Sequence, residues 1–135
     1  MSGVAIIRTL LANHAPLTAI IPASKIINGQ VPQNTVMPAI SVRSISASEQ
    51  ETSARNLTIK MIRERIQVTV YSKNFVQMEL ALKACALGRG FHTGTVATFQ
   101  VRSVMPDYVG PYIGPDGDEI HEQSRDFMVT FIEAN

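Results

Sequence analysis

At 135 residues the chain has the length of one domain, and a hydrophobic content of 45% predicts a packed core rather than a disordered chain. A net charge of +1 argues against a general nucleic-acid binder, which would carry a strong basic excess. A single cysteine excludes an intramolecular disulfide, and no apolar run approaches the ~20 residues that span a bilayer, so we expect a soluble protein made in the cytoplasm.

The charge is distributed unevenly along the chain. Residues 1–106 carry 11 basic and 4 acidic residues, a net of +7, whereas residues 107–135 carry 1 basic and 7 acidic residues, a net of −6. This asymmetry can be neutralised within one subunit if the last strand lies beside a basic strand. It can also favour a head-to-tail contact between identical subunits, because such an interface joins two different patches and can close a ring.

The first part of the chain is predicted to be mainly helical. Ser2 can cap a helix that runs to about Asn13 with apolar residues at helical spacing. Residues 17–21 form a second short helix, which stops at Pro22. Residues 26–29 are a brief strand or a turn, after which the chain changes to β character.

Two β-branched runs, residues 38–45 and 57–71, are joined by a polar arm, residues 46–56. The second run alternates apolar residues (Ile62, Ile66, Val68, Val70) with polar ones (Arg63, Arg65, Gln67, Thr69, Tyr71). This period of two is typical of a half-buried strand. Fully extended, residues 59–71 would cover about 40 Å, while a compact domain of this length is about 35–40 Å across. The hairpin is therefore predicted to bend sharply or to project, and a projecting polar hairpin is typical of an interaction device.

A third helix is predicted to begin after Asn74, which can cap it, and to end at Gly88 in the left-handed conformation. One stripe of this helix is apolar and consists of Phe75, Met78, Leu82 and Cys85. We interpret Cys85 as a small buried hydrophobic residue. Residues 98–104 form the next strand.

A loop rich in Gly and Pro, residues 106–117, carries Tyr108 and Tyr112 and leads to a final strand, residues 123–133. Both faces of that strand are apolar, which predicts a central position in the sheet. The order of elements predicts an α+β fold in one domain, residues 1–135: a mostly antiparallel sheet of four to five strands packed against two to three helices, with a projecting β-hairpin.

Catalytic motifs are not evident in the sequence. The three histidines are isolated, the acidic turn at residues 116–119 lacks calcium-loop spacing, and no nucleophile elbow, phosphate loop or dinucleotide fingerprint occurs. We therefore predict no catalytic, cofactor-binding or metal site, and no enzyme. A small enzyme or ligand-binding domain with Tyr108 and Tyr112 in a lid is the alternative from a different class. Single-strand nucleic-acid binding is suggested only by Tyr71 beside Lys73.

Four arginines are predicted to lie on strands: Arg43, Arg63, Arg65 and Arg102. Arg63 and Arg65 share the polar face of their strand by alternation. They form either a solvated outer face or ion pairs with acidic residues such as Glu122 and Asp126, within one subunit or across a subunit boundary.

An ordered set of motifs carries a family resemblance from about Leu10 to the C-terminus. The set begins with two helices and with Met37-Pro38-Ala39-Ile40 at the first long strand, followed by a polar hairpin tip with residues 65–71 (RIQVTVY). A helix and residues 124–131 (SRDFMVTF) in the last strand complete it. In this order the chain resembles the tail-completion or tail-terminator proteins of long-tailed bacteriophages.

The resemblance implies a non-enzymatic virion protein that forms a ring, commonly a hexamer, on the head-proximal end of the tail tube. Such a ring stops tube polymerisation and presents a surface to the head connector. The implied partners are further copies of the chain, the tail tube protein and the head-tail connector or stopper, with genomic DNA passing through without sequence recognition and no membrane. Another neck role, as a stopper or adaptor, is the alternative.

By the same resemblance, the hairpin at residues 44–60 and the late loop at residues 107–119 are the expected contact elements. Together with the strand arginines, these elements give a set of candidate interface residues: Arg43, Glu49, Glu51, Arg55, Arg63, Arg65, Tyr108, Tyr112, Asp116 and Asp118.

Overall fold

Three helices and a twisted mixed sheet make up the described part of the computed structural model, which comprises residues 2–50, 59–87, 92–115 and 119–134. The elements in chain order are α1 (Gly3–Ala12), α2 (Ala15–Thr18), a 3-10 turn (Ala23–Lys25), β1 (Ile26–Asn28), β2 (Ala39–Gln50), β3 (Ile59–Ser72), α3 (Phe75–Ala84), β4 (Gly94–Val96), β5 (Phe99–Val109) and β6 (His121–Ala134). This confirms the predicted α+β class.

Within these residues the sheet has six strands in the order β1-β2-β3-β6-β5-β4, where four to five were predicted. All neighbours are antiparallel except β1, which runs parallel to β2. The strand missing from the prediction is β4, which turns back on β5 through Ala97 and Thr98, both with positive φ (50° and 70°). A two-residue hairpin turn needs that conformation, and neither residue type signals it.

The core lies between the helices and one face of the sheet. The predicted inward residues of β3 are fully buried, as are Phe127, Val129 and Phe131 of β6. They pack in one cluster with Ile6, Ile7 and Leu11 of α1 and with Met78, Ala81, Leu82 and Cys85 of α3. β6 pairs with β3 on one side and with β5 on the other, which confirms its central position.

The start of α1 is held differently from the prediction. Ser2 makes no side-chain cap bond. Instead the backbone N–H of Gly3 donates to Oε1 of Glu64 at 2.8 Å, and Glu64 is only 2% exposed on the inward face of β3. A carboxylate at a helix N-terminus satisfies an otherwise unpaired N–H and interacts favourably with the helix dipole. A strand residue thus ties α1 to the sheet.

The predicted cap of α3 is confirmed, because Oδ1 of Asn74 accepts a bond from the backbone N–H of Gln77 at 3.1 Å. The predicted left-handed end at Gly88 lies outside the described residues, although Leu87 already has a φ of 57°. The second helix is shorter and earlier than predicted, since Ala15–Thr18 is helical and a turn leads on to Pro22.

The polar arm predicted at residues 46–56 is partly strand. β2 continues to Gln50, which pairs with Met61, while residues 51–58 lie outside the described residues. A register shift between Ser44 and Ser46 interrupts the β2–β3 pairing at one point. β6 supports β3 over its full length, from the pair of Ile59 and Ala134 onward, so β3 lies within the sheet. β2 forms an edge only beyond its pairing with β1 at residues 40–42.

The late loop is likewise shorter than predicted. β5 continues through Pro106 and Asp107 to Val109, and the irregular segment begins at Gly110. Proline is tolerated here because only β4 flanks β5 on that side, at residues 99–101, which leaves the later part of β5 as an edge. None of the helices in the described residues is long and apolar enough to cross a membrane.

Candidate interaction surface

The sheet face opposite the helices, here called the outer face, carries the predicted arginines. Arg43, Arg63 and Arg65 alternate with the buried residues of their strands and therefore point to this face. Nη2 of Arg43 donates to Oε1 of Gln67 at 2.8 Å across the β2–β3 ladder. Arg63 is exposed and has no ion-pair partner among the residues that the structure describes.

Arg65 is the centre of an ion-pair cluster on the outer face. Its Nη1 lies 2.5 Å from Oδ2 of Asp107 and 3.2 Å from Oδ2 of Asp126. These carboxylates raise the pKa of the Arg65 guanidinium, with the hydrogen bond to Asp107 as the largest cause. Of the alternatives that the sequence left open for Arg65, the structure shows the ion pair with Asp126 in the same chain, and part of the charge asymmetry is neutralised within one subunit. The extension of β5 brings Asp107 into the cluster, which is why the sequence did not reveal it.

Methionines surround this cluster. Met61, Met105 and Met128 lie on the outer face and line a shallow groove of about 460 Å³ together with Arg63 and Asp107. Met105 is 48% exposed. Flexible, polarisable methionine side chains adapt to different partners, so a groove of this composition suits a protein contact better than a polar small molecule.

Glu49 lies at the tip end of the sheet but points to the inward side. Its Oε1 accepts from Nζ of Lys60 at 2.8 Å, and this hydrogen bond is the largest cause of the raised pKa of Lys60. Glu133 raises the pKa of Lys60 further through its charge. The structure therefore separates Glu49 from the arginine cluster, although the sequence grouped them in one candidate surface.

Tyr112 lies at the opposite end of the sheet, in an aromatic cluster. Its hydroxyl is 2.5 Å from Nδ1 of His121, the two rings are stacked at 5.8 Å, and Phe75 meets the Tyr112 ring edge-on at 5.2 Å. Phe75 is 41% exposed, so it leaves the predicted buried stripe of α3 and anchors the late loop instead. Tyr108 is separate from this cluster, being 60% exposed on β5.

Four candidates, Glu51, Arg55, Asp116 and Asp118, lie outside the described residues. The sequence reasoning missed Glu64 among the inward residues of β3. Its signal is visible in the alternation, since Glu64 occupies an apolar-face position between Ile62 and Ile66.

Packing accounts for the raised pKa values of two titratable groups, the buried Cys85 and the half-buried Tyr71. Burial raises the pKa of the Cys85 thiol to about 12, which makes it unreactive. Burial is also the largest cause of the raised pKa of Tyr71, with the charge of Glu122 second. Among the described residues, no group of three His, Cys, Asp or Glu side chains could hold a metal ion.

Comparisons with known proteins were made for both sequence and fold. The chain matches the family model described as tail completion protein gp17 over residues 5–86. A search of curated proteins finds no match. One solved structure, a chain from the "virion of native gene transfer agent (GTA) particle", aligns with a TM-score of 0.64 at 12% sequence identity, covering 97% of this chain and 95% of that chain. At this identity the likeness shows a shared fold.

The family match carries the identification. It spans α1 to α3, including the β2–β3 hairpin, and covers more than half of the 135 residues. The protein belongs to the tail completion protein gp17 family of bacteriophages and is a structural component of the virion tail.

Proposed function

We propose that this protein forms a ring of identical copies, a hexamer, on the head-proximal end of the finished tail tube. The ring ends tube polymerisation and provides the docking surface for the head connector. Its partners are then further copies of the chain, the tail tube protein and the connector or stopper, and the genome passes through the ring without sequence recognition. The family supports a role in tail completion, and the ring is our inference beyond it.

One observation carries the proposal. Every residue of β2 from Arg43 to Glu49 is exposed, although the segment is an ordered strand paired with β3. An isolated subunit gains little from ordering this stretch, since its own side chains stay exposed although the β3 residues opposite it include the buried Ile62 and Ile66. A protein that must contact neighbours and a tube end does gain, because the ordered stretch presents a polar surface along the edge of the sheet.

A tube-end binding experiment tests this role. Residues 51–58 are replaced by Asn-Gly, which leaves four residues between the paired Gln50 and Met61, a common hairpin loop length. We expect wild-type protein to bind one end of tail tubes assembled without it and to stop their elongation. The shortened variant should lose both activities while its melting temperature stays within about 3 °C of wild type, because no described core contact is removed.

A matched control, Gln33→Ser with Asn34→Gly, changes two exposed polar residues elsewhere in the chain and should behave as wild type. Electron microscopy of labelled protein on the tubes provides the measurement. Absence of wild-type protein from tube ends would contradict the proposed function. Normal termination by the shortened variant would show instead that residues 51–58 are only a connection.

A further inference from the structure

The sheet has two open edges that are usable by a second copy of the chain. β1 covers β2 only at Ile40, Ser41 and Val42, and β4 covers β5 only at Phe99, Gln100 and Val101. Within the described residues, no strand pairs with the outer side of β2 at residues 43–50 or of β5 at residues 102–109. A strand edge with no neighbouring strand offers a row of backbone N–H and C=O groups to which another strand can bond.

The stretch in β2 carries little of the usual protection of an edge strand apart from the irregularity between Ser44 and Ser46. Natural edges are blunted by charged residues, proline or β-bulges. Residues 44–48 read Ser-Ile-Ser-Ala-Ser, with neither charge nor proline, and Ile45 is 50% exposed. Such an edge can form backbone hydrogen bonds with another strand.

Strand direction makes β5 of a neighbouring copy a suitable partner. The strands β2, β3, β6 and β5 alternate in direction, so β5 runs opposite to β2. In a head-to-tail ring all copies have the same orientation about the axis. The next copy's β5 would therefore lie antiparallel to β2 and continue the sheet.

The two open stretches also lie at the same height, that is, at the same position along the strand direction of the sheet. Tracing register partners across the strands, Ser48 pairs with Arg63, Arg63 with Thr130, and Thr130 with Ser103. In the same way Ala47 is level with Val104, and Ser46 is level with Met105. Ser48 would thus meet Ser103, and the small Ala47 and Ser46 would meet the larger Val104 and Met105. The exposed Ile45 and Met105 would be covered.

The irregularities of the two edges coincide. Pro106, which has no N–H to donate, is level with Ser44, and the register shift of β2 falls between Ser44 and Ser46. A bulge leaves one residue unpaired, so the missing donor on β5 would face the point where β2 offers no regular pairing.

Charges of opposite sign lie at matching heights as well. Arg43 is level with Asp126, which lies opposite the segment between Pro106 and Val109 that contains Asp107. Glu49 is level with Val101, the residue before Arg102. Arg102 is exposed and has no ion-pair partner in the described part of the chain.

The two edges agree in strand direction, height, irregularities and charge. We therefore infer that residues 43–50 of one subunit pair antiparallel with residues 102–109 of the next, so that each subunit extends its neighbour's sheet. The inference rests on the proposed ring and names the surfaces that build it. An isologous pairing of β2 with β2 would give only a two-fold dimer, and contact of the β2 edge with the tube protein would leave β5 free.

Cysteine cross-linking in finished tails tests the pairing. The variant Ser48→Cys/Ser103→Cys places thiols on directly opposed positions, where Cβ atoms are about 4.5–5.5 Å apart, and a short bismaleimide tolerates a small stagger. In tails from phage that make only this variant, we expect a ladder of covalent multimers up to the full ring. The native Cys85 is buried and should not react.

Three controls decide the outcome. Each single variant should give no ladder, and Ser24→Cys/Ser103→Cys, with the exposed Ser24 away from the β2 edge, should also give none. A second pair, Ser46→Cys/Met105→Cys, repeats the test if the first affects assembly. Completed tails without a ladder from either pair would overturn the strand pairing, as would dimers from Ser48→Cys alone. Absence of even the wild-type protein from tail ends would instead overturn the proposed function.

Discussion

At the scale of single residues, Glu64 is the most consequential polar side chain in the core. It lies on the apolar face of β3, is 2% exposed, and accepts the Gly3 N–H of α1. The approach is close, since a Cβ atom on Gly3 would lie 2.6 Å from Oε1 of Glu64. A larger residue at this helix start would displace the Glu64 carboxylate.

The Glu64→Ala variant should lower the free energy of unfolding by about 1–3 kcal/mol, because it removes the partner of a buried N–H. Gly3→Ala should destabilise the protein as well, through overlap with the carboxylate. Urea denaturation measures both effects, with Glu79→Ala on the exposed side of α3 as the control, expected within about 0.5 kcal/mol of wild type. A Glu64→Ala protein as stable as that control would show that the tie contributes nothing.

The raised pKa of Cys85 makes the free energy of unfolding depend on pH, and the direction of that dependence follows from the shift. Burial raises the pKa of its thiol from 9.0 to about 12, so above pH 9 the unfolded chain loses this proton while the folded protein keeps it. Stability is then fully present below pH 9 and falls as the pH rises towards 12. We expect the free energy of unfolding to be about 1.4 kcal/mol lower at pH 10 than at pH 8 from this group.

Tyr71, with its pKa also raised, adds a smaller fall in the same direction. Cys85→Ala should lose the thiol's share of the decrease and retain that of Tyr71. If urea denaturation finds an equal decrease in wild type and variant, another group titrates.

At the scale of elements, the sequence predicted those whose periodicity or capping is strong. The alternation in β3 and β6 and the Asn74 cap were each confirmed, since burial on one face and a local side-chain bond leave direct marks in the residue order. The extensions of β2 to Gln50 and of β5 to Val109 were missed. Both depend on neighbouring strands, because the polar residues 46–50 form a strand through their pairing with β3, and the proline of β5 is tolerated only at an edge.

The candidate surface was predictable only in part, for the same reason. Arg65 and Asp126 could be paired from strand order alone, whereas Asp107 needed the longer β5. The sequence grouped Glu49 with the arginines, but the register shift at residues 44–46 and the pairing with β3 direct Glu49 to the other face, beside Lys60. Alternation predicts a face only as long as the register continues unbroken.

At the scale of the whole molecule, a six-stranded sheet in the described residues has helices on one face and two open edges at equal height. Part of the charge asymmetry of the chain is neutralised around Arg65, and Arg102 on the edge strand β5 is exposed with no ion-pair partner among the described residues. This combination suits a subunit that repeats head to tail around an axis. It agrees with the family, whose members complete the phage tail.

The distribution of tail lengths in phage lacking this protein tests the central claim most directly. If the protein caps the tube, electron microscopy should show tails of variable, excessive length without attached heads, and the purified protein added during assembly should restore a single length. Tails of normal, uniform length that merely fail to join heads would contradict termination and assign the protein to another part of the neck.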